Sequence, residues 1–554
     1  MARFKKSNPR RDQVRKTIAP EKAWLAKLLD ADMVTSILIW LAYVVGCVVV
    51  MSFDRMLQGN FRGVMPTAML VVIVSLGAGL YIHHFQKRMI KNHTRAIVLC
   101  ALFLSMQIAA KIGIVSSAGA LWSTSFATGA VVMVAIMLAI AYDQRFAIDM
   151  SIFFALYVSL IAKDLAGQPY QLSEISLFVV MIAGVVASGF SLQEIRTRMK
   201  LLEVSSLTAS AVFLTALSAG YLERLAILDP PPNWNHIFMV AGCHGGIALL
   251  VGLLIQSFLP LIEKLFRIAT SMTLLDYSDA NQPLLKKLAM EAPGTFSHCL
   301  MIGSIAEAAA TSIGRNGLLC RVGAYYHDIG KIHKPSYFIE NQGGSKSKHE
   351  ELSPTMSQLI IVGHVKDGIE MAKEYKLPAV LRQFIETHHG TTLIEPFYNE
   401  AMKKHESPVN GEKPKVAPPS ESEFRYDGPK PRSKEAAIVM LADSVEGAVR
   451  SLAEVSPAKV ETVIHNISMK RLQDGQFDEC DITLRELSQV EKAMSMALAA
   501  HYHGRIAYPK SPDDPDYLND AKDKEKVKDI ADGKADEQAK REDAEPVDAG
   551  QGPS

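Results

Sequence analysis

The feature that most constrains this chain is a succession of long apolar segments between about residue 33 and residue 260. A helix needs about 20 apolar residues to cross the hydrocarbon core of a bilayer, and each segment reaches or nearly reaches that length. The pattern predicts a polytopic helical membrane domain of about eight spans, at 33–52, 65–84, 95–114, 125–142, 146–163, 174–192, 206–222 and 236–260. The fourth, fifth and seventh segments are short, which leaves the count open by one.

Positive charge is distributed unevenly between the connections of this domain. Seventeen Lys and Arg residues lie in the N-terminal segment and the even-numbered connections, against four in the odd-numbered ones. Because cytoplasmic connections carry an excess of Lys and Arg, both ends of the chain are predicted to be cytoplasmic, in a multi-pass protein of the cell membrane. The first segment follows about thirty residues and precedes no small-residue cleavage site, so we do not expect a cleavable signal peptide.

Lys111 and His244 are the notable ionisable side chains inside the apolar segments. Such groups are candidate functional residues by default. The simpler interpretation, which we favour, is that Lys111 extends from near a helix end to the interface and His244 bonds a neighbouring helix. The longest extracytoplasmic connection, FDRMLQGNFRGV, has about a dozen residues, which leaves no room for an external sensor domain.

The rest of the chain has the composition of a soluble, all-α protein. Apolar residues recur mostly at helical spacing, and no sustained strand alternation occurs. The expected parts are a basic N-terminal segment (1–32), a juxtamembrane helical connector (261–292), a helical domain (293–509) with a Pro- and Ser-rich inserted loop (405–432), and a charged tail (510–554). The composition of the tail predicts disorder.

The six cysteines are scattered and form no CxxC pair. Their placement argues against a disulfide framework and against a structural zinc site. The soluble part is therefore expected to face a reducing compartment.

Histidines and aspartates of the helical domain form a pattern that suits metal binding. Imidazole and carboxylate groups are ligands for borderline and hard divalent metals. The candidate ligands are His298, His327, Asp328, His364, His388, His389 and Asp443. Seven ligands exceed what one ion needs, so we expect two ions sharing a bridging carboxylate. Such a pair can activate a water for in-line attack on phosphorus.

The local sequence around these residues supports the interpretation. In AYYHDIGK, His327 and Asp328 end an apolar helix before a glycine that can take a positive φ. Lys331 follows one turn later and is predicted to face a phosphate, which makes it a catalytic candidate together with Asp328. In MLADSVE, Asp443 lies within an apolar helix, where an unpaired carboxylate would be costly. Isolated histidines are excluded as ligands: His333, His349, His405, His465 and His501.

Longer stretches make the chain recognisable. They include EAPGTFSHCL, GAYYHDIGKIHKPSYFIENQ, GHVKDGIEMAKEY, LPAVLRQFIETHHGT and FRYDGPKPRSKEAAIVMLADSVEGAVRSL. Over roughly 260–509, and more loosely in the membrane region, the sequence resembles the seven-transmembrane HD-domain (HDIG) family of cyclic di-AMP phosphodiesterases.

The resemblance implies a membrane-anchored hydrolase that converts cyclic di-AMP to pApA with two divalent ions, iron or manganese. It assigns one ion to His298, His327, Asp328 and Asp443. It assigns the second to His364, His388 and His389, with Asp328 as the bridge. The partners it implies are a cyclic dinucleotide and the lipid bilayer, with no nucleic acid polymer and with self-association into a homo-oligomer left open.

Two departures from the family pattern stand out. The family commonly carries a large extracytoplasmic domain after the first span, where this chain has the short connection described above. Where the family usually has Asn-Pro-His-Asp, this chain reads SKHEELSP, so His349 is kept and Glu350 replaces the Asp.

Two alternatives remain open from the residues. One is the same chemistry on cyclic di-GMP or another nucleotide, although the sequence after HDIGK reads IHKPSYF and lacks a GYP motif. The other is a membrane receptor whose HD domain only binds nucleotide, although all the ligand positions are filled.

Overall fold

The structure is a computed structural model, and it describes residues 31–85, 93–162, 172–192, 195–227, 233–266, 268–343, 346–406, 418–452 and 456–503. The described residues form eighteen α-helices, several short 3₁₀ helices and no β-strand. This confirms the predicted all-α class. Almost all of the basic segment 1–32 and all of the tail 510–554 lie outside the described residues.

All eight predicted apolar segments form helices. They are α1 (Ala31–Leu57), α2 (Phe61–Phe85), α3 (His93–Ser116), α4 (Ser125–Ala141), α5 (Gln144–Ala162), α6 (Glu174–Ser191), α7 (Arg198–Ile227) and α8 (Trp234–Phe266). Seven are long and apolar enough to cross a membrane, and the eighth, α4, has 17 residues. At about 1.5 Å per residue, α4 is roughly 25 Å long, close to the thickness of the hydrocarbon core. The number of spans, seven or eight, stays a prediction.

The short helix α4 is the centre of the membrane bundle. Most of its side chains are buried, and it packs against α3, α5, α6 and α8. Small residues allow the close approach: a Cβ added at Gly184 of α6 would lie 2.8 Å from a Val132 methyl of α4. Helices in membranes associate through such packing because the lipid offers no hydrophobic driving force.

Lys111 and His244 are both paired. Lys111 Nζ lies 2.7 Å from Asp54 Oδ2 and donates to Val50 O at 2.9 Å. His244 Nδ1 and Thr128 Oγ1, on α8 and α4, lie 2.8 Å apart. The predicted contact of His244 with a neighbouring helix is therefore confirmed, whereas the extension of Lys111 to the interface stays a prediction.

The helices extend further than the sequence suggested. Only three residues separate α1 from α2, where a dozen-residue connection was expected. The last apolar helix continues to Phe266, past the predicted boundary at 260, with Pro260 inside it. Apolar residues mark only the part of a helix inside the bilayer. Polar turns at the helix ends are therefore not detected from hydropathy, and the predicted bounds are too short.

The connector consists of α9 (Ser271–Ser278) and α10 (Pro283–Glu291), and it is tied to the last membrane helix. Glu263 of α8 accepts hydrogen bonds from Thr270 N at 2.7 Å and Thr273 Oγ1 at 2.8 Å, at the start of α9. A carboxylate is favourable there because the first N–H groups of a helix lack intrahelical partners.

The soluble domain contains α11 (Pro293–Ser312), α12 (Gly317–Tyr326), α13 (Pro354–Glu374), α14 (Ala379–Thr387), α15 (Glu395–Glu406), α16 (Lys434–Arg450), α17 (Pro457–Gln473) and α18 (Leu484–His503). Helix α16 is buried over most of its length and lies at the centre, with α11, α17 and α18 packed around it. The connector contacts this domain through Tyr326 of α12, whose hydroxyl donates to Tyr277 O of α9 at 2.9 Å.

Candidate metal centre

The seven predicted ligands come from five separate places in the soluble domain. His298 lies on α11, His364 on α13 and Asp443 on α16, whereas the pairs His327-Asp328 and His388-His389 directly follow α12 and α14. The structure brings them into two groups that share Asp328. Within each group the candidate ligand atoms lie within 4.8 Å of one another.

The carboxylate of Asp328 stands between the two groups. Its Oδ2 is 3.2 Å from His327 Nε2 and 3.7 Å from His298 Nε2. Its Oδ1 is 3.4 Å from His364 Nε2 and 3.5 Å from His388 Nε2. Each oxygen thus faces a different set of imidazoles, which is the arrangement a bridging ligand requires.

Asp443 completes the first group and reaches toward the second. Its Oδ1 lies 3.1 Å from His298 Nε2 and 3.7 Å from His327 Nε2. Its other oxygen, Oδ2, lies 3.8 Å from His389 Nδ1.

Three of the histidines are oriented by carbonyl groups of their own helices. The Nδ1–H groups donate one turn back, from His327 to Ala324 O at 2.6 Å, from His364 to Ile361 O at 2.5 Å and from His388 to Ile385 O at 3.0 Å. A hydrogen bond at one ring nitrogen fixes the tautomer and leaves the lone pair on the other. All three Nε2 atoms are therefore presented to the shared carboxylate.

His298 is oriented differently, by a carboxylate. Its Nδ1 lies 2.7 Å from Oε2 of Glu446, which is fully buried on α16. Sequence reasoning missed Glu446. The available signal was its position three residues after Asp443, which places both carboxylates on one face of the helix.

The residues present fit a pair of divalent ions. Within the part of the chain that the structure describes, His327 Nε2 and Asp328 Oδ1 are buried atoms that have no hydrogen-bond partner. Buried polar atoms are normally satisfied, and an ion is one explanation when they are not. The donor set of imidazole nitrogens and carboxylate oxygens suits borderline and hard divalent metals.

For His364 and Asp328 the electrostatics favour the form that binds a metal, whereas neighbouring carboxylates raise the pKa of His298 and His327 in spite of their burial. Burial lowers the pKa of His364 to about 3, so its imidazole is neutral near pH 7. Burial alone would raise the pKa of Asp328, but His327 and Lys331 hold it well below its usual range, so this carboxyl is ionised. Metal ligands must be deprotonated, and both residues meet that condition.

Lys331 is engaged by two carboxylates. Its Nζ lies 2.7 Å from Asp328 Oδ2 and 2.9 Å from Glu340 Oε1, and 4.9 Å from the centre of the Phe338 ring. Sequence reasoning did not foresee Glu340, which lies in the short 3₁₀ segment Ile339–Asn341. The expectation that Lys331 faces a phosphate stays a prediction.

Gly330 of the HDIG motif serves a different purpose from the one expected. It does not adopt a positive φ; instead, a Cβ at this position would collide with the carbonyl oxygen of His364. The turn after Asp328 therefore approaches the backbone of α13 more closely than any side chain would allow. Gly390, after the His388-His389 pair, does adopt a positive φ of 52°.

One edge of the centre is accessible. The side chains of His389 and Asp443 are 21% and 13% exposed, against 1% for Asp328. The ring of Tyr426 stacks on His389 with centroids 4.2 Å apart. A substrate would therefore approach from the side of His389 and Tyr426.

The histidines that were excluded as ligands lie outside both groups. His333 is exposed, and His349 Nε2 lies 3.0 Å from the carbonyl oxygen of Tyr337.

The fold and the centre together define a class: a polytopic membrane protein that carries an all-helical domain with a two-part His/Asp metal-binding cluster. Residues 61–270 match the family model described as "7TM receptor with intracellular HD hydrolase", and residues 295–448 match the HD domain model. The chain belongs to this family of seven-transmembrane HD proteins. The matched membrane region contains seven helices, α2 to α8, so α1 precedes it.

Two curated relatives are similar to this chain. The cyclic-di-AMP phosphodiesterase PgpH of Bacillus subtilis is 35% identical over 80% of this chain, and PgpH of Listeria monocytogenes is 43% identical over 49%. The chain spans 60% and 36% of the lengths of these relatives. A crystal structure of the L. monocytogenes PgpH HD domain in complex with cyclic-di-AMP covers 40% of this chain and matches over all of its own length, with 44% identity and a TM-score of 0.38.

Proposed function

We propose that this protein is a membrane-anchored, metal-dependent phosphodiesterase that hydrolyses cyclic di-AMP to pApA. The observation that carries the proposal is the position of Asp328, whose two oxygens face two separate groups of imidazoles. The names of the curated relatives support cyclic di-AMP as the substrate.

The ions assigned to the centre are two divalent metals, iron or manganese. One ion would be held by His298, His327 and Asp443. The other ion would be held by His364, His388 and His389. Asp328 would be a ligand of both ions. When bound, such a pair neutralises phosphate charge and activates a water for in-line displacement. The choice of iron or manganese rests on the family resemblance, since the donor set suits several divalent ions.

The chain itself contributes positioning and charge. The ammonium group of Lys331, held by Asp328 and Glu340, adds positive charge beside the centre, where charge develops on the phosphorane-like transition state. Tyr426, stacked on His389 at the accessible edge, offers an aromatic surface on which a nucleobase can stack. The ribose 3′-oxygen is the leaving group when the product is pApA.

We place the HD domain and both chain ends in the cytoplasm. There the domain would have access to a cyclic dinucleotide inside the cell. The excess of Lys and Arg in the even-numbered connections supports this orientation. Self-association into a homo-oligomer stays a prediction.

The test is hydrolysis by the full chain purified in detergent and loaded with Mn²⁺. Cyclic di-AMP and cyclic di-GMP compete in one reaction, and chromatography follows both products. We expect pApA to form with a kcat/KM about 100-fold above that for cyclic di-GMP, because hydrogen bonds built for one base leave buried groups unpaired with the other.

Each other outcome has a distinct meaning. Equal consumption of the two dinucleotides would remove the adenine assignment and leave a two-metal phosphodiesterase. Tight binding of cyclic di-AMP without turnover would indicate that the protein is a nucleotide-binding receptor and not an enzyme.

A further inference from the structure

Glu446 is a buried carboxylate whose nearest basic partners are His298 and, at longer range, Arg450. Its side chain is fully buried, and Oε2 lies 2.7 Å from His298 Nδ1 and 3.6 Å from Arg450 Nη2. Its second oxygen, Oε1, is buried with no hydrogen-bond partner among the described residues. Burying a carboxylate is costly unless it is well paired, so its presence beside a candidate ligand calls for an explanation.

The other buried histidines show what is unusual about this contact. His327, His364 and His388 donate from Nδ1 to neutral carbonyl groups. The Nδ1 atom of His298 instead contacts a carboxylate, which carries a full negative charge. A carboxylate behind an imidazole raises the basicity of the opposite nitrogen and fixes the orientation of the ring.

The two halves of the centre are consequently unequal in charge. The half formed by His298 and His327 includes Asp443 and one oxygen of Asp328, with Glu446 directly behind. The other half has three histidines, the second oxygen of Asp328 and, at 3.8 Å from His389, Oδ2 of Asp443. Lys331 lies beside the first half, but its charge is shared with Glu340. Opposite charges attract more strongly where burial limits screening by water, so the half containing Asp443 should hold a cation more tightly.

We propose that Glu446 is a positioning residue that acts through His298 and makes the half containing Asp443 the tighter of two metal sites. This inference rests on the proposed metal-dependent function and adds an order of loading: the site of His298, His327 and Asp443 fills first. The structural alternative is that Glu446 serves only as the partner of Arg450.

The experiment is a Mn²⁺ titration of the full chain after its metals have been removed with a chelator. Free Mn²⁺ is counted from its solution electron paramagnetic resonance signal. The wild type should bind two ions in unequal steps. Glu446→Gln keeps a hydrogen-bond acceptor for His298 and removes only the charge, so it should weaken the tighter step by about 10- to 100-fold and leave the weaker step unchanged.

Two matched variants separate this role from structural ones. Glu435→Gln removes a carboxylate from the same helix away from the centre, and Arg450→Gln removes the other contact of Glu446. Both should titrate as the wild type does. Loss of the tight step in Arg450→Gln to the same extent as in Glu446→Gln would overturn the proposal in favour of the structural alternative.

The measurements also cover a variant that does not fold. Circular dichroism shows whether each variant is folded before it is titrated. If Glu446→Gln is unfolded, Glu446→Asp is used instead, because it keeps the charge on a shorter side chain. A shorter reach should weaken the tight step by a smaller factor, and a tight step equal to that of the wild type in the folded variants would refute the role of Glu446. Wild-type protein that binds no Mn²⁺ would instead remove the proposed function.

Discussion

At the scale of single residues, the centre depends on a few side chains that serve more than one partner. Asp328 offers one oxygen to each half, and its carboxyl is 1% exposed. A buried carboxylate without an ion would rely on Lys331 and the surrounding imidazoles for its charge balance. Loss of this side chain therefore affects both candidate metal sites together.

We predict that Asp328→Ala abolishes hydrolysis of cyclic di-AMP and lowers the bound metal from two ions to one or none. The reason is that a bridging carboxylate serves both ions. Metal content by mass spectrometry and turnover measure the two effects. His333→Ala is the control, because this exposed histidine lies outside both groups and should retain metal and rate. Full activity in Asp328→Ala would exclude a shared carboxylate.

At the scale of elements, the centre is assembled by backbone approaches between helices. The turn after α12 touches α13 where Gly330 meets the carbonyl of His364, and Gly368 of α13 lies against the same turn. These contacts fix the distance between Asp328 and His364. The two halves thus meet because glycine occupies the point of contact.

We predict that Gly330→Ala destabilises the protein by about 1–3 kcal/mol, as expected for inserting a methyl into a packed contact. It should also lower metal occupancy, because α13 must move away from Asp328. Thermal unfolding and metal content are the measurements. The matched control is Gly363→Ala, one residue before His364, where an added Cβ meets nothing within 4 Å. That variant should be neutral or slightly stabilised, since Ala favours a helix over Gly.

At the scale of the whole molecule, the sequence predicted the class and the seven candidate ligands that the structure brings together, but not the geometry that orients them. Adjacent pairs such as His327-Asp328 and His388-His389 stand out because two candidate ligands follow one another at a helix end. Glu446 and Glu340 were not predicted from the sequence. Each is a single acidic residue, and its partner, His298 or Lys331, is known only from the folded structure. The role of Gly330 was also hidden, since a contact with a distant carbonyl leaves no local pattern.

We predict that chelation lowers the melting temperature of the protein by an amount that grows with the logarithm of the metal affinity. Ions that bind only the folded state stabilise it by about 2.7 kcal/mol at one hundred times their dissociation constant. Thermal unfolding with and without a chelator, followed by re-addition of Mn²⁺, measures the change. The Asp328→Ala variant, which loses one or both ions, should show a smaller response than the wild type, and an equal response would mean that the chelator acts elsewhere.

His298 and Asp443 are 145 residues apart in the chain, so the ribosome adds them at different times. At roughly 5–20 residues per second, a ribosome needs on the order of 10–30 s to proceed from one to the other. The half containing His364, His388 and His389 is complete about 50 residues before Asp443 is added. The ligand set of the weaker of the two proposed sites is therefore fully synthesised before that of the tighter site, which is opposite to the proposed order of affinity.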